Sequence, residues 1–236
     1  MSVNVQSVNH IRFNSSEYEK HREEVEQSVK EVLARNAIKF VVGISGGAEE
    51  KYFERTEALI DEFVGTLQGG NYAILTGGTE GGVPQIGIEA AKRHHVPSIG
   101  VFPKQGLKYA LLDDLDLAIE TTLPDIGEGV FGTETPTFVN MLDGATVIGG
   151  SYGTLIEVST ILKANVKRIE KLKKQTEDAQ DPIYLAPILG TGGVADQTHE
   201  IAQALGCDVT LSMPERPVVR ASSAAQYLRQ KLEADE

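Results

Sequence analysis

The chain has 236 residues, of which 41% are hydrophobic and 24% are charged, so it can bury a sizeable core in one globular domain. Its 22 Lys and Arg residues against 34 Asp and Glu residues leave a net charge of −12. Nucleic-acid polymers are bound through basic surfaces, so this balance argues against them as partners. A small phosphate ligand stays compatible, because backbone amides can hold an anion without net positive charge.

The cysteine and histidine content argues against a metal-stabilised or disulfide-stabilised fold. A single cysteine, Cys207, excludes an internal disulfide and a cysteine-based zinc site. His94 and His95 have no Asp, Glu or His at metal-binding spacing, so neither a metal nor another cofactor is expected. The first 14 residues lack a signal-peptide core, and no apolar run reaches transmembrane length. We therefore expect a cytoplasmic protein without a membrane partner.

The predicted elements begin with an irregular arm over residues 1–14 and a charged helix over residues 17–34. From residue 36 onward, strand and helix patterns alternate. Strands are predicted at 38–44, 72–76, 98–102, 117–120, 145–148, 182–189 and 209–211. Helices are predicted at 52–67, 83–94, 135–142, 154–171, 195–205 and 222–232. This pattern predicts a flanking segment over residues 1–35 and a single main domain over residues 36–236.

The alternation of strands and helices predicts an α/β fold with an open, doubly wound, mainly parallel sheet of about seven strands. The run at 38–44 is apolar almost throughout, as expected for a strand that is buried on both faces. In such sheets ligands bind past the carboxyl ends of the strands, at the point where the strand order reverses. Loops that follow the strands are therefore the places to look for a ligand site.

Glycine-rich turns follow several of the predicted strands. The most informative turn lies between the strand at 145–148 and a helix that is predicted to carry Glu157 in its first turn. Unpaired N–H groups at a helix N-terminus attract anions, and glycines allow a phosphate to approach the backbone. A similar turn follows the strand at 72–76, a weaker one follows the strand at 38–44, and the turn at 190–193 joins them. The predicted ligand-binding residues are Ser45, Gly46, Gly47, Gly77, Gly78, Thr79, Glu80, Gly81, Gly82, Gly149, Gly150, Ser151, Tyr152, Gly153 and Thr154.

Two well-known nucleotide-binding motifs are absent from these turns, and one hydrolase motif is matched. The turn after the strand at 38–44 is not G-x-G-x-x-G, and the chain contains no G-x-x-x-x-G-K-[ST], so neither an NAD dehydrogenase nor a P-loop ATPase is predicted. Residues 149–153 match the G-x-S-x-G pattern of a hydrolase nucleophile. However, His199 is the only histidine downstream, and it falls inside a predicted helix. An esterase is therefore a minor alternative.

Residues 144–157 resemble the P-G-G-x-G-T-x-x-E motif of the LOG family, with Gly150, Gly153, Thr154 and Glu157 on matching positions. Asp143 matches the Asp that often opens the preceding strand, and the turn at 77–83 is similar to the family's G-G-G-x-x-G loop. LOG proteins are Rossmann-like and are often mislabelled lysine decarboxylases. They are related to molybdenum-cofactor carriers and to the wider SLOG superfamily, which includes nucleotide-sensing domains of melastatin-type TRP channels. The resemblance covers roughly residues 38–165.

The chain departs from this motif at charged positions. The leading Pro is Gly149 here, the second Gly is Ser151, and the Arg-Lys pair of phosphoribohydrolase members corresponds to Glu134 and Thr135. Replacing an Arg that would bind phosphate with an acid reverses the local charge. Lys108 is a candidate to supply the positive charge missing at Glu134.

The resemblance implies a binding protein for a nucleoside monophosphate or an ADP-ribose-like ligand. The phosphate would lie on the N–H groups of residues 150–154, and the loop at 77–82 would surround the ribose. Two alternatives stay open, a phosphoribohydrolase with Glu157 as the catalytic carboxylate and a molybdenum-cofactor carrier. No lysine can be argued to bind pyridoxal phosphate, so a lysine decarboxylase is not expected. The resemblance also implies a homodimer or higher homo-oligomer, and the loop at 127–137 is either a lid or an ordinary connection.

Overall fold

The computed structural model describes residues 16–48, 53–121 and 132–234. Within these residues, six strands form one sheet in which every neighbouring pair is parallel. The strands are β1 (Phe40–Gly46), β2 (Tyr72–Thr76), β3 (Ser98–Pro103), β4 (Leu117–Thr121), β5 (Gly144–Ile148) and β6 (Tyr184–Pro187). The predicted α/β class with a parallel sheet is therefore confirmed.

Helices connect the strands at nearly all the predicted places. They are α1 (Ser16–Arg35), α2 (Phe53–Leu67), α3 (Gly82–Arg93), α4 (Thr135–Asn140), α5 (Tyr152–Lys173), α6 (Gly193–Ala204) and α7 (Ala221–Leu232). Two short 3₁₀ helices that the sequence did not predict, Lys104–Tyr109 and Leu112–Asp114, follow β3. The predicted arm at 1–14 lies outside the described residues. Within the described parts of the chain, no helix is both long and apolar enough to cross a membrane.

The strand order β4-β3-β2-β1-β5-β6 places the reversal of the sheet between β1 and β5. The chain builds the sheet outward from β1 to β4 and then returns to the other side of β1 for β5 and β6. The register pairs Ser45 with Val147 and Gly46 with Ile148, so the two strands end side by side. This reversal is the position where doubly wound sheets bind ligands.

Apolar side chains from the two faces of the sheet form two separate clusters. Because side chains alternate along a strand, Val41 joins one cluster and Val42 joins the other. One cluster contains buried residues of α2, α3 and α7, and the other contains buried residues of α4, α5 and α6. The helices that follow β1 and β5 therefore lie on opposite faces, and a crevice opens between their N-terminal ends.

Helix α1 packs on the same face as α5 through Val25, Val29 and Leu33, which contact the buried cluster there. The apolar spacing of this charged helix therefore serves to cover the sheet. The division into a flanking segment over 1–35 and a main domain over 36–236 stays a prediction.

Within the described residues the sheet has six strands, close to the seven that were expected, and the predicted strand at 209–211 is the one that does not form. The carbonyl of Val209 accepts the N–H groups of Ser212 and Met213 at 3.1 and 2.8 Å, which folds this segment into a turn. The apolar pattern of this segment correctly indicated burial, because Val209 packs against the buried core, although it does not pair as a strand. Beside β6, the N–H of Leu185 donates to the carbonyl of Ser212 at 2.8 Å, and an isolated bridge joins Ile188 to Val218.

Candidate functional site

The first and third glycine turns lie against each other at the crevice. A Cβ atom on Gly46 would lie 2.6 Å from the carbonyl oxygen of Ile148 and 2.5 Å from Cγ2 of Val83. No side chain larger than hydrogen fits there without a shift of β5 or α3. The sequence prediction that residues 46–47 and 149–150 share one edge of the sheet agrees with this geometry.

The N-terminus of α5 opens directly into the crevice. Ser151 occupies the N-cap position with φ −128° and ψ −144°, and its side chain makes no capping hydrogen bond. The carbonyl of Ser151 accepts the N–H of Leu155 at 2.9 Å, so the N–H groups of the three residues between them have no acceptor within the helix. Tyr152 is 86% exposed, and a Cβ atom on Gly153 would meet no atom within 4 Å. This helix end can therefore accept an anion.

The turn after β6 holds the turn after β5 in place. The hydroxyl of Thr191 accepts the N–H of Gly149 at 2.9 Å, and the N–H of Ala195 donates to the carbonyl of Gly149 at 2.9 Å. Gly193 has a φ of 55°, and a Cβ atom there would overlap the carbonyl oxygen of Gly150. Thr191 and Gly193 were not among the predicted ligand-binding residues. The repeated glycine turn after a strand was the sequence signal for them.

The loop at 77–82 is tied to its neighbours on both sides. The N–H of Glu80 donates to the carbonyl of Tyr109 at 2.7 Å, and the N–H of Leu111 donates to the carbonyl of Gly78 at 3.0 Å. A Cβ atom on Gly82, whose φ is 50°, would overlap the carbonyl oxygen of Gly47. The structure thus brings the four predicted glycine turns to one edge of the sheet, where contacts and hydrogen bonds connect them.

Glu157, further along α5, is hydrogen-bonded to the hydroxyl of Ser45 and lies near the carboxylate of Glu134. The buried Ser45 hydroxyl, at the end of β1, donates a short hydrogen bond to Oε2 of Glu157. Burial raises the pKa of Glu157 to about 7, the bond from Ser45 opposes this rise, and the nearby charge of Glu134 adds to it. A carboxyl group with a pKa near neutrality is suited to proton transfer.

Glu134 is the residue that the resemblance aligns with the Arg of phosphoribohydrolases, and its carboxyl group lies near Glu157. It is half-buried at the start of α4, and its Oε2 accepts the N–H of Gly132 at 2.7 Å. Burial raises the pKa of Glu134, and hydrogen bonds from the backbone partly oppose this. Thr135, the neighbouring position of the pair, is buried. The loop at 127–137, expected to be either a lid or an ordinary connection, lies partly outside the described residues, because 127–131 are not among them.

Lys108 lies away from the reversal of the sheet. Its Nζ is 4.7 Å from the centroid of the Tyr109 ring, in a shallow pocket of about 640 Å³ lined also by Lys104, Gln105 and Leu107. This 3₁₀ helix follows β3, which is three strand positions from β5. At the usual strand spacing, three positions correspond to about 14 Å. Lys108 thus contacts Tyr109, and its role as the source of the positive charge missing at Glu134 stays a prediction.

The esterase alternative lacks its histidine in this geometry. Nε2 of His199 lies 3.4 Å from the carbonyl oxygen of Pro214, and within the described residues no histidine forms a hydrogen bond with Ser151. In the same residues, no group of three or more His, Cys, Asp or Glu side chains could hold a metal ion.

A second cavity of about 480 Å³ lies at the opposite, N-terminal edge of the sheet. Phe40, Asp143, Arg168, Tyr184 and Lys231 are among its lining residues. Oδ2 of Asp143 accepts the N–H of Val41 at 2.8 Å, and burial raises the pKa of this carboxyl. The Asp that opens the resembling motif therefore joins β5 to β1, and it does not belong to the site at the glycine turns.

One family of known proteins matches most of this chain in sequence. The model of the SLOG cluster4 family matches residues 39–187, which is more than half of the chain. A comparison with curated protein sequences finds no match.

Solved structures with the same fold share little sequence with this chain. The structural-genomics protein TM1055 is 21% identical with a TM-score of 0.58, covering 81% of this chain and 99% of its own. The Moco carrier protein from Chlamydomonas reinhardtii is 21% identical with a TM-score of 0.54, covering 84% and 99%. DNA processing protein A from Helicobacter pylori, described as binding single-stranded DNA, is 14% identical with a TM-score of 0.51, covering 86% and 84%. At such identities the similarity shows the fold alone.

Proposed function

Because the chain belongs to the SLOG cluster4 family, we propose that it is a nucleotide-binding protein whose ligand enters the crevice between β1 and β5. The ligand is of the nucleoside phosphate or ADP-ribose class. Its phosphate lies on the N–H groups at the start of α5, and the loop at 77–82 surrounds the ribose. The observation that carries the proposal is the helix end at Ser151, which has no side-chain cap and opens at the reversal of the sheet.

The surrounding geometry supports a ligand that combines an anionic group with hydroxyl or amino groups. Hydrogen bonds from the turn at 190–193 and from the loop at 77–82 hold the backbone in place, so little ordering entropy is lost on binding. Glu157 and Glu134 supply carboxylate oxygens, which accept hydrogen bonds from ribose hydroxyls or from the amino group of a base. A bare phosphate would leave these two carboxylates unused.

The decisive variant is Gly153→Val, tested in a thermal-shift panel with AMP, ADP, ADP-ribose, NAD and cyclic nucleotides. A ligand at one hundred times its Kd should stabilise the wild-type fold by about 2.7 kcal/mol. Valine at position 153 enters open space in a helix, where glycine is the poorer residue, so the fold should survive. The branched side chain covers the N–H groups of the first turn, and the ligand-induced shift should vanish.

The matched control is Ser223→Val, which adds a similar side chain to the first turn of α7 at an exposed position. It should keep the full ligand-induced shift. If Gly153→Val binds as tightly as the wild type, the phosphate does not lie at this helix end.

A phosphoribohydrolase is the second candidate, and one observation favours it. With a pKa of about 7, Glu157 is partly protonated at neutral pH and can exchange protons with a leaving base or a water molecule. Any nucleotide that shifts the melting temperature should therefore be assayed for release of its base. The Glu157→Gln variant should then bind the nucleotide and fail to release the base; unchanged turnover would exclude Glu157 as the catalytic group. A pterin found in the purified protein would instead favour a molybdenum-cofactor carrier.

A further inference from the structure

Arg55 reaches the crevice from the face of the sheet opposite to α5. It lies in the first turn of α2, the helix that follows β1. Its Nη2 atom is 3.8 Å from the point that a Cβ atom on Gly190 would occupy. Gly190 begins the same turn whose Thr191 hydroxyl binds the N–H of Gly149. The guanidinium and the N-terminus of α5 therefore flank a single glycine turn.

The charge of Arg55 is not used elsewhere in the described parts of the chain. The side chain is exposed, and no hydrogen-bond or ion-pair partner contacts it there. Asp196, in the first turn of α6, accepts the N–H of Gly190 at 2.6 Å through Oδ1, and no ion pair joins it to Arg55 within the described residues. By contrast, Arg93 near the other end of the same helix layer is paired with Asp61 at 2.9 Å.

Arg55 also stands where its charge disfavours the fold. The first turn of a helix carries the positive end of the helix dipole, so a cation is unfavourable there. Sequences that break a local rule of this kind do so most often at functional sites. The reversed charge at Glu134 leaves the crevice without the family's Arg, and Arg55 is a cation from a different helix at the same edge.

We propose that Arg55 binds a second phosphate of the ligand, and that the ligand is consequently a nucleoside diphosphate or a sugar-linked diphosphate. This inference rests on the proposed nucleotide-binding function. One phosphate lies on the N–H groups at the start of α5, and the next crosses the turn at 190–193 toward the guanidinium. The planar fork of an Arg side chain matches two phosphate oxygens at once. In this placement a monophosphate on α5 leaves the guanidinium without a phosphate partner.

The test compares the affinities of wild type, Arg55→Gln and Arg55→Lys for AMP, ADP and ADP-ribose by isothermal titration calorimetry. Arg55→Gln should weaken the binding of ADP and ADP-ribose about tenfold or more, as expected for a lost charged hydrogen bond, and leave AMP unchanged. Arg55→Lys should retain part of the affinity. Without ligand, Arg55→Gln should melt no lower than wild type, because it removes an unfavourable helix charge.

The control is Arg35→Gln, which removes the same charge from an exposed position at the end of α1, before β1 begins. It should bind ADP like the wild type. If Arg55→Gln leaves the affinity for ADP unchanged while Gly153→Val abolishes it, the inference about Arg55 fails and the binding site stands. An equal loss for AMP and ADP would overturn the placement at the second phosphate. If the folded wild type binds none of the three, the proposed function fails with it.

Discussion

Glu157 owes its behaviour to groups that lie far from it in the sequence. The hydroxyl that binds it belongs to Ser45 in β1, and the charge that raises its pKa belongs to Glu134 before α4. The sequence placed Glu157 in the first helical turn, but α5 begins at Tyr152, so Glu157 lies beyond the turn where the helix dipole would stabilise a carboxylate. Burial keeps the group partly protonated near neutral pH.

The raised pKa of Glu157 predicts a dependence of stability on pH. Because the pKa rises from 4.5 to about 7 on folding, the folded state binds more protons between these values. The favourable contribution is complete below pH 4.5 and is lost as the pH rises to about 7. Glu157→Gln removes this loss, so its free energy of unfolding should exceed that of the wild type at pH 8 by about 1–3 kcal/mol. The difference should shrink toward pH 5.

Urea unfolding of both proteins from pH 5 to pH 8 measures this effect. Glu134 and Asp143 also have raised pKa values, so the wild-type slope contains their contributions, and the difference between variant and wild type isolates Glu157. Glu200→Gln, at an exposed position of α6, serves as the control for the loss of one charge. Parallel pH profiles for Glu157→Gln and the wild type would contradict the assignment.

At the scale of elements, the glycine turns act as a connected set. The turn after β6 binds the turn after β5, and the turn after β1 touches the loop after β2. Each contact depends on a glycine whose missing side chain lets two backbones approach. The position of the N-terminus of α5 therefore depends on the turn at 190–193, which contributes no side chain to α5 itself.

Gly193→Ala should destabilise the fold by about 1–3 kcal/mol, because alanine disfavours a φ of 55° and its Cβ atom would overlap the carbonyl of Gly150. It should also weaken ligand binding by moving the turn at 149–150. Gly206→Ala is the matched control, since Gly206 has a φ of 67° with open space around a Cβ atom. Chemical denaturation measures both. An equal cost in the two variants would mean that backbone strain explains the whole effect and that the contact with Gly150 contributes nothing.

At the scale of the whole molecule, the net negative charge of the chain bears on whether it can bind a polyanion. The net charge is −12, and several exposed cations are already paired with acids. Examples are Lys92 with Asp114 and Lys173 with Asp208, both at 2.6 Å. The fold is similar to that of a protein described as binding single-stranded DNA, whereas the net negative charge of this chain argues against such a partner.

We therefore expect no binding of single-stranded DNA at physiological salt. Fluorescence anisotropy of a labelled oligonucleotide should stay flat up to protein concentrations of about 100 μM, the upper range of non-specific affinities. A basic protein that binds single strands provides the positive control. Saturable binding that weakens with added salt would contradict this expectation and would assign a partner that the net charge argues against.

The sequence by itself determined the α/β class, the order of nearly all elements and the glycine turns at one edge of the sheet. These features are local, because apolar periodicity, glycine and helix starts act over a few neighbouring residues. The turn at 209–213 was missed, since a short apolar segment packs against a core either as a strand or as a turn. The contacts between side chains in the candidate pocket could not be predicted from the sequence and are seen only in the tertiary structure. Ser45 meets Glu157, and Arg55 meets Gly190, only because β5 and β6 return beside β1, and that strand order is set by packing between distant segments.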